Sequence, residues 1–296
     1  MQAHAQGSVR LGVIGGSGMY QMEGIRLVAE HRLDTPFGAP SDAVIEAAIG
    51  ERAVFFLPRH GRGHRLLPSE VNCRANIHAL KQLGATHVLA ISAVGIMQPF
   101  LRPGHMVVPD QIFDRTRGQR PSTFFGDGIA GHVSFADPFC PELSKALVRA
   151  ATECGATVHA GGTYVCMEGP QFSTRAESNY YRRAVHATVI GMTALPEAKL
   201  AREAELCYAM LAMATDYDCW HETEASVQIE AVLEVMRRNS TVANATIAAL
   251  ARSLPPTGDC ACQHAAAHAI ITAPEFIGPE VRARLRVLYG RYLDPS

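Results

Sequence analysis

The sequence predicts an α/β fold, a single domain with a central, largely parallel mixed β-sheet flanked by helices. Short apolar runs rich in branched residues alternate with longer segments of helical periodicity, as in βα units around a parallel sheet. The chain has 296 residues, 48% of them apolar and 19% charged, and is long enough to bury a substantial core.

Eight segments are predicted as strands because each is a short apolar run rich in β-branched side chains. They span 9–14, 43–49, 53–57, 86–93, 105–109, 162–167, 188–192 and 207–214.

Five longer segments carry helical periodicity. The clearest follows Ser69, which can cap a helix, and its apolar positions recur as far as Leu83 before Gly84 ends it. The other four span 141–153, 174–184, 196–205 and 224–253.

A linker-like break at 252–260 is followed by two shorter helical patterns, at 263–271 and 279–288. We interpret them as an appendage to the same domain. The predicted organisation is one domain over 1–296, with a disordered start at 1–9 and a C-terminal helical appendage at 254–296.

The charge balance favours small-molecule chemistry. The net charge is -1, the pI is near 6.9 and there is no long basic run, so neither nucleic acid nor an anionic membrane is an expected partner. The N-terminus lacks the pattern of a signal peptide, and no segment approaches ~18 consecutive apolar residues. We expect a cytoplasmic protein, and the apolar composition suits an oligomer.

The stretch "LGVIGGSGMY" at 11–20 is an apolar strand that runs into a glycine-rich bend. It is not a dinucleotide fingerprint, because Gln21 stands where the third glycine belongs, and no Lys-Ser/Thr follows to make a Walker A loop. The hydroxyl of Ser17 and the neighbouring amides are suited to an oxyanion. Taken alone, the loop fits a plain βα turn equally well.

Other predicted strands also end in groups that suit an anion. Open α/β sheets bind ligands at the carboxyl ends of their strands. The groups are Arg59 and His60 in "PRHGRGH", Ser92 and Ala93 in "ISAVG", and Met192 and Thr193 in "IGMTALPEA". Together with the glycine loop, these strand ends predict one shared site.

Two acids end the apolar run of the last strand. Period-two geometry predicts that Asp216 and Asp218 project to the same side, where mutual repulsion would raise the pKa of one of them. A carboxyl group that keeps its proton can donate to N7 of a departing purine, and a carboxylate can accept from the 6-amino group of adenine. A turn with two solvated acids is the alternative.

Seven segments together resemble the trimeric purine nucleoside phosphorylases, and within that family the enzymes that use 5'-methylthioadenosine. The resemblance runs from about Leu11 to Leu250. It is carried by "GGSG", "DTPFGAPSDA", "PRHGRGH", "VNCRANIHALKQLGATHV", "EGPQFSTRAES", "GMTALPEAKLAREA" and "ATDYDCW".

The resemblance implies the nucleoside phosphorylase fold and roles for individual residues. It places phosphate on Ser17, Arg59, His60, Thr193 and the backbone at Ser92 and Ala93. It places purine and ribose against Phe172, Met192, Asp216 and Asp218, with Asp216 as the catalytic proton donor. It places the methylthio group against Ile229, Val232 and Leu233, with His132 reaching the 5'-substituent of the neighbouring subunit.

The activity that the resemblance implies is phosphorolysis of methylthioadenosine to adenine and 5-methylthioribose 1-phosphate, in purine and methionine salvage. Inorganic phosphate would be a co-substrate, with no cofactor and no metal, and the assembly a homotrimer. Ser173 and Asp216 replace the glutamate and asparagine of relatives that cleave inosine and guanosine, which favours adenine. Gly191 stands where the animal enzymes have asparagine.

Two alternative functions stay open at this stage. One is a phosphorylase for 6-oxo purine nucleosides or methylthioinosine. The other is a non-catalytic protein that binds adenine nucleosides.

The eight cysteines are scattered, and we expect most of them to be buried free thiols. "CACQHAAAH" at 260–268 brings Cys260 and Cys262 close to two histidines. A zinc site is disfavoured because C-x-C is not the usual ligand spacing, although a vicinal disulfide would resemble those of thermophile relatives. We expect two inert thiols.

Overall fold

The computed structural model describes residues 9–16, 25–221, 229–258 and 260–294. Within these ranges, no helix combines the length and the hydropathy that crossing a membrane would require.

Eleven strands of the described residues form a single sheet. They are β1 (Leu11–Gly15), β2 (Arg26–His31), β3 (Val44–Ile49), β4 (Arg52–Pro58), β5 (His87–Ile96), β6 (Met106–Val108), β7 (Gln111–Arg115), β8 (Val158–Ala160), β9 (Thr163–Met167), β10 (Val189–Gly191) and β11 (Cys207–Asp216).

The order of the sheet is β2-β3-β4-β1-β5-β10-β9-β7, and a branch leaves β5 through β11 and β6 to β8. Parallel pairing joins β4 to β1, β1 to β5, β5 to β11, β10 to β9, β9 to β7 and β6 to β8. The pairs β2-β3, β3-β4, β5-β10 and β6-β11 are antiparallel. The predicted mixed, largely parallel sheet is confirmed.

Six α-helices flank the sheet in the described ranges. They are α1 (Cys73–Gln82), α2 (Pro141–Glu153), α3 (Arg175–Arg183), α4 (Ala194–Glu203), α5 (Ile229–Arg252) and α6 (Pro279–Leu293). In the predicted segment 263–271 the structure instead has a short 3-10 helix, Ala261–His264, followed by turns.

Alternate residues of the central strands pack into separate cores on the two faces of the sheet. Val88 and Ala90 of β5 join the core under α1, α4 and α6, whereas Leu89 and Ile91 join the core under α2 and α5. This explains the continuous apolar runs of the sequence, because a strand covered on both faces needs apolar side chains at every position. Tyr289 of α6 is fully buried in the first core, so the C-terminal segment packs on the same sheet.

The start of α1 differs from the sequence prediction. The N-cap is Asn72 rather than Ser69, which lies in a preceding turn. The Asn72 side-chain oxygen accepts a hydrogen bond from the backbone N–H of Ala75 at 3.1 Å, while its amide nitrogen donates to the Phe37 carbonyl at 2.8 Å. An amide can cap the helix and hold a distant loop at once, which the serine hydroxyl does not do here.

Candidate active site

The carboxyl ends of β1 and β4 meet at one edge of the sheet. Gly15 pairs with Pro58 in the parallel register, and the next amide, that of Arg59, donates to the Gly15 carbonyl at 2.9 Å. The glycine loop and the "PRHGRGH" segment therefore leave the sheet side by side. Ser17, the predicted phosphate ligand of the glycine loop, lies outside the described residues.

The guanidinium of Arg59 is buried and almost fully engaged. Its Nε donates to one carboxylate oxygen of Glu197 at 2.5 Å and its Nη2 to the other at 3.2 Å. The Ile91 and Ile14 carbonyls accept from Nη1 and Nη2 at 2.9 and 3.2 Å. Burial lowers the pKa of Arg59, but the Glu197 carboxylate raises it by more, so the pKa lies above its ordinary value. The edge of the guanidinium that was expected to bind phosphate therefore binds Glu197 instead. Phosphate binding by the remaining Nη1 hydrogen stays a prediction.

His60 is held as a neutral ring. Its Nδ1 lies 2.8 Å from the Leu66 carbonyl, which can only accept, so Nδ1 carries the proton. Burial, followed by the charge of Arg59, lowers the pKa of His60 to about 4. A neutral ring protonated at Nδ1 leaves a lone pair on Nε2, which can accept a hydrogen bond from a protonated phosphate oxygen. The ring of His64 stacks against it, with centroids 4.3 Å apart.

Ser92 and Thr193, predicted from separate strand ends, are brought into contact. The Thr193 hydroxyl donates to Ser92 Oγ at 3.0 Å, and Ser92 Oγ donates to the Ala93 carbonyl at 3.0 Å. The antiparallel pairing of β10 with β5 causes this, because the chain that leaves β10 runs back along β5. The structure therefore places two hydroxyls beside the β5 backbone where the resemblance implies phosphate.

Gly191, which stands where the animal enzymes have asparagine, lies directly against the Tyr164 side chain. A Cβ atom on Gly191 would lie 2.1 Å from the hydroxyl oxygen of Tyr164. That hydroxyl accepts a hydrogen bond from the Thr193 amide at 3.3 Å. In this chain, the Tyr164 hydroxyl occupies the space beside residue 191 and helps to fix Thr193.

The two acids border the same residue of β5. A Cβ atom on Gly95 would lie 3.4 Å from Asp216 Oδ1 and 3.4 Å from Asp218 Cβ. Asp216 accepts from the Thr215 hydroxyl at 2.7 Å and from the Asp218 amide at 2.8 Å. The carboxyl groups therefore lie together at the carboxyl end of β11.

Asp216 and Asp218 lie together, and keep raised pKa values, for other physical reasons than those predicted from the sequence. Strand β11 ends at Asp216, and Asp218 lies in a turn with φ +52°, so period-two geometry does not relate the two side chains. Burial raises the pKa of Asp216, and hydrogen bonds from Thr215 and Asp218 only partly oppose it. Burial is also the main cause of the raised pKa of Asp218, with repulsion by Asp216 a smaller one. Desolvation, rather than mutual repulsion, favours the protonated forms.

The predicted purine contacts lie next to the acid pair. The Cys219 thiol, adjacent to Asp218, donates to the Ser173 carbonyl at 3.4 Å. Phe172, the preceding residue, is 49% exposed, so its ring surface is available for stacking. A Cβ atom on Gly169 would lie 2.5 Å from Met192 Sδ, which brings the "EGPQFST" segment against Met192.

Sequence reasoning missed a buried ion pair that supports this segment. Arg120 Nε donates to Glu168 at 2.6 Å, and Arg120 Nη1 donates to the Met192 and Leu195 carbonyls at 2.7 and 2.9 Å. The Arg117 amide donates to the other Glu168 oxygen at 2.7 Å. Arg120 lies in a loop without an apolar pattern, so the sequence does not indicate its role. The role follows only from its hydrogen-bond partners in the folded chain.

The predicted methylthio pocket is described only in part. The side chains of Ile229 and Val232 lie outside the described residues, and Leu233 on α5 is 51% exposed. His132 is exposed and lines a surface groove with Phe125 and Ile129. Its expected contact with a neighbouring subunit stays a prediction.

Strand β5 connects the two halves of the candidate site. The Ile91 carbonyl accepts a hydrogen bond from Arg59, and Ser92 Oγ accepts one from Thr193. Gly95 borders both acids. Ile91 and Gly95 are about 13 Å apart along an extended strand. The groups predicted to bind an anion and the two buried acids therefore lie along one strand.

Comparisons with known proteins show the family of this chain. A family model described as the phosphorylase superfamily matches residues 10–252. An S-methyl-5'-thioadenosine phosphorylase of Geobacter sulfurreducens is 52% identical over 283 residues, which cover 96% of this chain and 99% of that protein. One of Chloroflexus aurantiacus is 52% identical over 285 residues, with coverage of 96% and 99%.

Two solved structures show the same architecture. A methylthioadenosine phosphorylase from an antarctic soil metagenomic library matches with a TM-score of 0.87 and 45% identity, over 95% of this chain and 99% of that one. A methylthioadenosine phosphorylase from Schistosoma mansoni, in complex with adenine, matches with a TM-score of 0.79 and 39% identity, over 83% and 92%.

Proposed function

This chain belongs to the phosphorylase superfamily, and from that premise we propose that it cleaves S-methyl-5'-thioadenosine with phosphate, giving adenine and 5-methylthioribose 1-phosphate. The family and fold predicted from the sequence motifs are confirmed by the relatives. This activity serves purine and methionine salvage, since its products return a purine base and a sulfur-bearing sugar.

One observation carries the assignment of the site. Along β5, the groups suited to phosphate are near Ile91 and Ser92, and the buried acids are at Gly95. A nucleoside between them would present its anomeric carbon to phosphate on one side and its base to a proton donor on the other. Positioning of this kind lowers the barrier without a covalent intermediate on the protein.

The phosphate end is built to hold a partly protonated anion. When phosphate binds, the Ser92 and Thr193 hydroxyls turn away from their present acceptors, the Ala93 carbonyl and Ser92 Oγ, and donate to the anion. The remaining Nη1 hydrogen of Arg59 also donates, while Nε2 of His60 accepts from a P–OH group. The backbone at Ala93 and the hydroxyl of Ser17 complete the proposed set. In the reaction a phosphate oxygen forms the bond to C1' as the C1'–N9 bond breaks, and the anion balances the positive charge that develops on the ribosyl group.

The acid end delivers the proton that the leaving base needs. Asp216, whose pKa is raised by burial, donates to N7 as the electron pair of the C1'–N9 bond moves into the purine. Asp218 accepts from the 6-amino group when it is ionised. Phe172 stacks on the base and Met192 lies along the ribose. This set favours adenine, because a 6-oxo group would place one acceptor against another.

We place Ile229, Val232 and Leu233 against the methylthio group, with His132 contributed to the site of a neighbouring subunit in a homotrimer. The eight cysteine thiols are unpaired, as is usual for a protein kept in the reducing cytoplasm. Inorganic phosphate is the co-substrate.

The test uses methylthioadenosine, adenosine and inosine, each incubated with and without phosphate, and the free base is identified by chromatography. We expect adenine from methylthioadenosine only when phosphate is present. Release of adenine without phosphate would indicate a hydrolase instead. Hypoxanthine from inosine at a comparable rate would favour the 6-oxo purine phosphorylase, and intact substrates would favour a non-catalytic binding protein.

A further inference from the structure

Four cysteines that are far apart in the sequence converge at the edge of the domain opposite the candidate active site. Cys140 is the N-cap of α2 and Cys207 is the first residue of β11. Cys260 and Cys262 lie at the start of the C-terminal segment, where the chain turns into a 3-10 helix. Their sulfur atoms all lie within 4.8 Å of one another.

The distances suit a tetrahedron of sulfur ligands. Cys260 Sγ lies 3.4 Å from Cys207 Sγ and 3.6 Å from Cys140 Sγ. A tetrahedral Zn²⁺ with Zn–S bonds of about 2.3 Å would separate its ligand sulfurs by about 3.8 Å. All four thiols are unpaired, so they are available as ligands.

The backbone around the four sulfurs is fixed by regular structure. The Cys140 amide donates to the Tyr208 carbonyl at 2.7 Å, and the Cys207 amide donates to the Thr86 carbonyl at 3.1 Å. The Gln263 amide donates to the Cys260 carbonyl at 2.9 Å. The ligands therefore come from three elements that the fold has already brought together.

The surroundings are those of a closed site. Cys140, Cys207 and Cys262 are 1%, 1% and 3% exposed. The side-chain amide of Gln263 lies 3.5 Å from Cys207 Sγ, where it donates to the sulfur. Outer-shell N–H donors of this kind support a thiolate ligand. Cys260 is half-buried. Four sulfur ligands complete a tetrahedral shell and leave no coordination position for water or substrate, which is the pattern of structural rather than catalytic metal sites.

We propose that Cys140, Cys207, Cys260 and Cys262 bind one structural Zn²⁺ ion per chain. Four thiolates in a tetrahedral arrangement select zinc over magnesium or calcium, which prefer oxygen ligands. Each thiol that is neutral before binding loses its proton to solvent as its Zn–S bond forms. The site was not predicted from the sequence because only the cysteines and histidines of 260–268 were weighed as ligands, whereas Cys207 and Cys140 are 53 and 120 residues away from Cys260.

The site would stabilise the fold without taking part in the reaction. It fastens the C-terminal segment to the start of β11, while Asp216 stands at the other end of that strand, about 30 Å away. Loss of the metal should therefore lower thermal stability and leave the chemistry of the candidate active site unchanged.

The first measurement is the metal content of the full-length protein, purified without a metal-chelating resin and without chelators. We expect one zinc per chain by inductively coupled plasma mass spectrometry. A mercurial reagent that reacts with thiols should release that zinc from the folded wild-type protein. Cobalt exchanged into the site should give the strong charge-transfer absorption of a tetrahedral thiolate complex.

The second measurement compares variants. Cys207→Ser and Cys262→Ser should lose the zinc, and their unfolding midpoint should fall by roughly 10 °C. Cys154→Ser is the matched control, because Cys154 lies at the other end of α2 from Cys140. This variant should keep its zinc and the wild-type unfolding midpoint. Methylthioadenosine cleavage at 25 °C should change less than about twofold in Cys262→Ser.

Three results would overturn the proposal. They are four metal-free thiols in the purified protein, iron in place of zinc, or a disulfide peptide that joins any two of the four cysteines under non-reducing conditions. The metal readout does not depend on substrate identity, so it separates this proposal from the function proposed above.

Discussion

Arg59 and Glu197, 138 positions apart in the chain, form a buried ion pair in which Nε and Oε1 are 2.5 Å apart. The Glu197 side chain is fully buried, and Tyr208 also donates its hydroxyl to it at 3.2 Å. The pair joins the loop after β4 to α4, and so joins the two segments that carry His60 and Thr193. Glu197 therefore positions the proposed phosphate site without any need to touch the phosphate.

Removal of this partner charge should destabilise the protein. We expect Glu197→Gln to lower the free energy of unfolding by about 3–5 kcal/mol, because the Arg59 guanidinium would stay buried without a counter-charge. Urea-induced unfolding followed by circular dichroism measures the change. Glu142→Gln is the control, since Glu142 pairs with Lys145 on the surface, and a change of less than about 1 kcal/mol is expected there. Equal losses in the two variants would contradict the assigned role.

The proton-donor role of Asp216 predicts a selective loss of turnover. Asp216→Asn should lower kcat by about 10²–10⁴-fold and leave the KM for phosphate nearly unchanged, because the amide cannot deliver a proton to N7. Steady-state kinetics with methylthioadenosine and phosphate measure both. Asp127→Asn, at a side chain that is 84% exposed, should match the wild type. An Asn variant with wild-type kcat would remove Asp216 from the mechanism.

The raised pKa of Asp216 also fixes the sign of a pH effect. Since only the protonated form donates, kcat should fall as the pH rises through that raised pKa. Burial of the neutral form contributes stability that is fully present below the pKa of an unfolded aspartate and is lost as the pH rises through the folded one. Asp216→Asn should remove this limb from both the kcat profile and the stability profile. A limb that persists in the variant would have to belong to another group.

The sequence predicted those parts of the molecule that follow from local pattern, and it missed those that depend on distant contacts. The buried strands were visible because apolar side chains fill both faces of the sheet. Strand β2 was not, because its side chains are mostly exposed and give no alternation. Asn72 was passed over as a cap because its second partner, Phe37, is 35 residues away.

In the candidate site too, residues marked by a local pattern were predicted and residues that depend on distant contacts were missed. Residues at strand ends, such as Thr193, were predicted because strand ends are identifiable in the sequence. Glu197 and Arg120 were missed because their importance rests on partners that only the fold supplies. The zinc site proposed for Cys140, Cys207, Cys260 and Cys262 was missed for that reason too, since its members come from three separate elements.

The neutral state of His60 can be checked directly. Its folded pKa is about 4, below the ordinary value, so the ring should stay neutral between pH 5 and 8. Stability from the neutral ring is present above the unfolded pKa and is lost as the pH falls through about 4. Nuclear magnetic resonance of the ring protons measures the titration, and the spectrum of His60→Ala assigns the signal. A midpoint near 6.5 would contradict the buried, Nδ1-protonated ring.

The contact between Gly191 and Tyr164 gives a prediction about packing. Gly191→Ala should lower the free energy of unfolding by about 1–3 kcal/mol, because the new Cβ atom would lie 2.1 Å from the Tyr164 hydroxyl oxygen. The displaced ring would also lose its hydrogen bond from the Thr193 amide, so the KM for phosphate should rise. Thermal and urea unfolding, together with phosphate kinetics, measure the two effects.

A double-mutant cycle separates this clash from a general intolerance of alanine. In a Tyr164→Phe background the closest atom is gone, although the ring carbon that bore it would still lie 2.8 Å from the new Cβ. The cost of Gly191→Ala should therefore be smaller there, with a coupling energy of about 0.5–3 kcal/mol. Gly258→Ala is the control, since its Cβ would meet no atom within 4 Å. If the cost were the same in both backgrounds, the Tyr164 hydroxyl would not be what requires glycine at position 191.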